Sequence, residues 1–126
     1  MKTDINLEFE KLKSDALIIR KKILELSFKS GGGQHLGGGL SMVEIMCYLY
    51  SKIIDVKAIK KKLINRDRFI LSKGHAGVAV YAVLAQVGFF SKSLLKDHYQ
   101  NGSKFSGHIS HVDIPGIELS TGSLGH

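Results

Sequence analysis

Clustered glycine is the feature that most narrows what this chain can become. Fourteen of 126 residues are glycine against a single proline. Six of the glycines surround one histidine in Ser30-Gly31-Gly32-Gly33-Gln34-His35-Leu36-Gly37-Gly38-Gly39, and Gly74-His75, Gly107-His108 and Gly125-His126 repeat the pairing. Glycine lets backbone approach a ligand closely and adopt positive φ, and a neighbouring histidine adds a donor, an acceptor or a proton carrier near neutral pH. Several such loops meeting at one mouth make a polar pocket suited to anions. If they follow strands and open helices, their amides and helix N-termini favour phosphate.

The segments between the loops carry regular patterns. Leu12, Ala16, Ile19, Ile23 and Leu26 fall at steps of four and three, which predicts an amphipathic helix from about Leu7 to Phe28. Ser41 with Glu44 three residues later reads as a capping box opening a second helix. Lys57 to Lys62 is a basic stretch, and Asn65-Arg66-Asp67 reads as a turn. Arg68 to Ser72 is short, apolar and bounded by turn signals, so it reads as a strand buried on both faces. A helix through Val80, Val83, Leu84 and Val87 is closed by Gly88, and Ser91 caps a short helix reaching about Tyr99. One strand cannot make a sheet. The expected fold class is therefore α/β: residues 1–126 as the helix-rich front part of one domain, with a mainly parallel sheet flanked by helices and completed by more polypeptide.

Composition bounds the function. A chain of 126 residues and 13.8 kDa is one domain at most. Its apolar runs are far short of a membrane span, its N-terminus lacks a signal or transit pattern, and a single cysteine excludes a disulfide framework, so a cytoplasmic protein is expected. Eighteen Lys+Arg against eleven Asp+Glu give a net charge of +7, which suits phosphate-bearing ligands but also describes well-solvated lysines. No P-loop follows the glycines, and Gly31 and Gly33 match the dinucleotide fingerprint poorly. His108 and His111 stand three apart in a non-helical segment and do not read as a metal pair. Cys47, Tyr48, Tyr50, Phe89 and Phe90 read as packing residues. Lys57 to Arg68 carries charge without an RNA-binding signature, so neither nucleic acid nor membrane is an expected partner.

The motifs together are far more specific than any one of them. His35-Leu36-Gly37-Gly38-Gly39-Leu40-Ser41, Arg66 to Ala76 with its Ser72-Lys73-Gly74-His75, Gly107-His108 and Ser120-Thr121-Gly122-Ser123-Leu124-Gly125 resemble the transketolase family in order and spacing. The resemblance runs from about Leu12 to His126. It points to the start of the N-terminal, pyrophosphate-binding domain, as found in split bacterial transketolases. It implies thiamine diphosphate and Mg2+ as cofactors, and transfer of a two-carbon ketol unit between sugar phosphates. By the same resemblance His75 binds the diphosphate, while His35 and His108 line the substrate channel and assist proton transfer. Gly122, Ser123 and Leu124 meet the cofactor, Gly122 through its carbonyl and Leu124 by packing against the rings.

The sequence departs from the family pattern in three places. Gln34 separates Gly33 from His35, Ile109 stands where proline usually follows Gly-His, and His126 occupies a position held by glutamine or histidine. No Gly-Asp dipeptide occurs, so the Mg2+ ligands are expected outside these residues and no metal ligand is assigned within them. The resemblance then implies a C-terminal transketolase subunit or domain as partner, in a homo-oligomer or heterotetramer, with the isolated chain inactive. The alternatives are a non-catalytic truncated partner subunit and an enzyme like deoxyxylulose-phosphate synthase.

Overall fold

The three-four spacing near the start does make one long helix. The computed structural model describes residues 2–125, and α1 covers Lys2–Lys29, beginning earlier than the Leu7 boundary read from periodicity. Ala16, Ile19, Ile23 and Leu26 bury the predicted stripe. The helix stops at the glycines, where the Gly32 N–H returns to the Ser27 carbonyl at 2.9 Å.

Helix α2 (Leu36–Leu40) is built largely of glycine and is followed by α3 (Val43–Tyr48), which runs into one wide turn over Leu49–Ile53. The capping box does not form. Met42 occupies the N-cap, the Ser41 hydroxyl donates to the Gly38 carbonyl, and Glu44 pairs across to Arg20 of α1. Local spacing favoured the box, but the arginine offered by the packed neighbour outcompetes it. The basic stretch forms α4 (Val56–Lys60), capped by the Asp55 carboxylate accepting from the Ala58 N–H at 3.0 Å.

A tight turn at Gly74–Ala76 opens α5 (Gly77–Gln86), in which every residue from Gly77 to Ala85 is buried. A helix apolar all round belongs at the centre, and α1 and α3 both pack on it. Gly88 closes it as expected, with the Phe89 N–H returning to the Leu84 carbonyl at 2.9 Å. Ser91 caps a tight 3-10 helix over Lys92–Asp97. Cys47 and Tyr50 are buried as packing residues, and burial pushes the Cys47 thiol up to about 11. Tyr48 is exposed. No helix among the described residues is long and apolar enough to cross a membrane.

The expectation of an α/β fold with a mainly parallel sheet is corrected here. Among the described residues there is no strand, and the arrangement is all-helical. Residues 66–71 have no ladder, and Ile70 is 55% exposed beside Leu71 at 5%, so the segment is not buried on both faces. Residues 117–121 are tied to it at two points by side chains. Arg66 makes a bidentate pair with Glu118 at 3.0 and 2.7 Å, and the Thr121 hydroxyl donates to the Leu71 carbonyl. Apolar β-branched composition favours extended backbone, but only a neighbouring ladder makes a strand.

Candidate functional site

Gly74 is where the chain turns into α5, and its lack of a side chain decides what can sit beside it. A Cβ there would lie 2.3 Å from the Thr121 carbonyl oxygen and 2.6 Å from the Gly122 nitrogen. Backbone therefore touches backbone, and the Thr121-Gly122 segment is drawn against the His75 loop. The Gly74 carbonyl also accepts the Ile109 N–H at 2.9 Å, which brings in the loop carrying His108. Gly122 has φ +113°, and a Cβ on it would lie 2.6 Å from His108 Cδ2. Only glycine meets both demands.

His35 stands at the N-cap of α2, with its ring close to two other imidazoles. Its ring centroid is 5.2 Å from that of His75 and 5.7 Å from that of His108, both edge-on. The structure thus brings together all three histidines singled out in the sequence. His35 and His108 are exposed and His75 is half-buried. Gly38 leaves room for His75, since a Cβ there would lie 2.8 Å from its Cδ2. Of the remaining candidates, Ser123 is exposed and Leu124 is 83% exposed. His126 lies outside the described residues.

Two supporting residues escaped sequence reasoning. The Lys73 ammonium donates to the Gly38 carbonyl at 3.2 Å and to the Ser41 hydroxyl at 2.8 Å, clamping α2 onto the His75 loop. Its place beside Gly74-His75 was the available signal. Tyr81 lies in the middle of α5 and gave none. Its hydroxyl donates to the His108 carbonyl and accepts from the Ser110 N–H, each at 3.2 Å. Burial raises its pKa above the ordinary phenol value, so it keeps its proton and its donor role. Tyr81→Phe is expected to cost about 1–2 kcal/mol, because the part-buried Ser110 N–H loses its acceptor. A urea titration checks the stability, and the His108 ring resonance reports the loop.

A cleft of about 910 Å³ lies elsewhere, between α4 and the loop from Asp113 to Glu118, and none of the three histidines lines it. Convergence of side chains, rather than cavity size, marks the candidate site. No cluster of three or more His, Cys, Asp or Glu among the described residues could hold a metal ion.

Residues 16–126 match the family described as transketolase, thiamine diphosphate binding domain. The chain belongs to the transketolase family. It is 40% identical over 123 residues to an apulose-4-phosphate transketolase subunit of Actinobacillus succinogenes, covering 96% of this chain and 44% of that protein. It is 40% identical over 114 residues to a 6-deoxy-6-sulfo-D-fructose transketolase subunit of a Clostridium species, covering 90% of this chain and 41% of the relative. The transketolase of Leishmania mexicana superposes with a TM-score of 0.81 at 28% identity, over 90% of this chain and 17% of that one. This transketolase-family chain therefore spans less than half the length of these curated relatives.

Proposed function

We propose that this chain contributes the histidine-and-glycine part of a thiamine diphosphate site, in an enzyme moving a two-carbon ketol unit between sugar phosphates. The observation that carries the reading is the convergence of His35, His75 and His108 on a cradle whose glycines, Gly38, Gly74 and Gly122, have no room for a Cβ. That cradle fits the diphosphate end of the cofactor: imidazoles converge there, and backbone stays bare for close approach. When bound, the cofactor supplies the electron sink for making and breaking a carbon–carbon bond beside a carbonyl.

The chain's own residues bind and orient. His75 would donate to the diphosphate. Gly122 would offer its carbonyl to the cofactor's pyrimidine amino group, the exposed Leu124 would pack against the rings and lose its solvent, and Ser123 would meet the cofactor beside them. His35 and His108, being solvent-accessible, are placed to hydrogen-bond ketose hydroxyls and to carry protons. The described residues offer no ligand cluster for the divalent metal, so Mg2+ is assigned to other polypeptide and no step runs through it.

The partner is a C-terminal transketolase subunit or domain, within a homo-oligomer or heterotetramer. The names of the subunit-type relatives support the existence of a partner subunit. Alone, the chain is expected to be inactive and to bind thiamine diphosphate weakly or not at all, since no cluster among the described residues would hold the metal that neutralises the diphosphate. Micromolar binding by the chain alone would count against that part of the reading. The main test is calorimetric titration of thiamine diphosphate and Mg2+ into the natural enzyme that holds this chain. His75→Ala is expected to weaken binding at least tenfold, about 1.4 kcal/mol. Unchanged affinity removes His75 from the site, and with it the reading.

A further inference from the structure

One histidine differs from the others. His98 is buried, at 2% exposed, and ends the 3-10 helix Lys92–Asp97. Its Nδ1 lies 2.9 Å from the side-chain amide nitrogen of Gln34, which also donates to the Ser30 hydroxyl at 2.8 Å. Its ring meets Tyr81 edge-on with centroids 5.7 Å apart, and Tyr99 lies on another side at 6.2 Å. Its Nε2 is buried without a hydrogen-bond partner.

Gln34 directly precedes His35, and the Tyr81 hydroxyl holds the main chain at His108. No backbone hydrogen bond among the described residues joins those two loops directly. One buried imidazole therefore touches the supports of both exposed site histidines. A phenylalanine would pack among the same rings without stranding a polar atom, and an orphaned buried nitrogen costs stability. What the imidazole adds is the bond to Gln34.

We propose that Gln34 and His98 are positioning residues: their part-buried tie fixes the His35 loop relative to Tyr81 and hence to His108. The proposal rests on reading His35 and His108 as working groups of the site. It also gives a physical role to Gln34, the residue inserted between Gly33 and His35.

The test is NMR on the full chain, following the histidine rings and backbone amide exchange in Gln34→Leu, His98→Phe, the double variant and Gln34→Glu. Each single apolar variant is expected to move the His35 and His108 ring resonances and to speed amide exchange at Gly33 to Gly37 at least tenfold. The double variant is expected to recover the melting temperature but not the ring positions, because it removes both partners at once. Gln34→Glu puts a carboxylate oxygen where the amide nitrogen stands, and it can accept from Nδ1–H once the imidazole changes tautomer or gains a proton, so it should restore the rings. It should also raise the His98 titration midpoint by at least one pH unit, since a carboxylate favours the imidazolium.

Single variants that lower the melting temperature with both rings in place would overturn the proposal. Should they fail to fold, Gln34→Glu decides alone, and an unmoved His98 midpoint overturns it. None of these readouts involves thiamine diphosphate. A failure of cofactor binding therefore bears on the proposed function and leaves this result separate.

Discussion

Gly74→Ala is expected to be among the most damaging single-methyl changes in this chain, costing about 3 kcal/mol, near the upper end for overpacking. The new Cβ would sit 2.3 Å from the Thr121 carbonyl oxygen and 2.4 Å from its carbon. Both are backbone atoms and cannot swing aside. Relief requires Thr121-Gly122 to move off the His75 loop, which also strains the Thr121 hydroxyl bond to Leu71 and the Gly74–Ile109 backbone bond. Structure and site should therefore fail together. Gly37→Ala is the matched control, because a Cβ there meets nothing within 4 Å and α2 gains a better helix former. Urea unfolding separates the two. The Gly74 midpoint should fall with the slope unchanged, while Gly37→Ala should stay level or rise by up to about 1 kcal/mol. Equal midpoints would show that the close contact at Gly74 is not sustained in solution.

The contrast between these two glycines also shows what could be read from sequence and what could not. The count of glycines and their placement beside His35, His75 and His108 were legible, and the structure draws those three rings together. Which glycine is indispensable was not legible, because that depends on Thr121 and Gly122, far along the chain, meeting Gly74 in space. Helices α1 and α5 were readable because their signal is local: periodic apolar residues, then glycine. The segment Phe69–Leu71 misled because its signal is also local, while a strand is a property of two segments. Ser41 and Glu44 misled for a related reason, since Lys73 and Arg20 reach them from elsewhere in the chain. Tyr81 and His98 lay outside any motif. Their roles come from burial, and burial of a polar group is visible only once packing is known.

Burial at His98 has a consequence for the whole chain: stability should fall as pH drops from about 6.5 toward 4. Desolvation lowers the His98 pKa from 6.5 to about 4 in the folded state. Between those values the unfolded chain binds a proton that the folded chain does not, so stability rises with pH across the window and is lost on acidification. The loss over the full window is up to about 3 kcal/mol, a large share of what holds a domain of this size together. Glu25 and Glu44 act in the same direction but lower down. The hydrogen bonds from Lys22 and Arg20 hold their pKa values below 4.5, so their contribution fades as pH falls through and below that value. Chemical denaturation between pH 7 and 5 should thus report mainly on His98. In His98→Phe the slope over that interval should flatten, even though the variant starts from a lower plateau through loss of the Gln34 tie. A wild-type curve that is already flat from pH 7 to 5 would mean that the imidazole finds solvent or a partner in the folded chain. In that case it could not be the rigid neutral wedge between Gln34 and Tyr81.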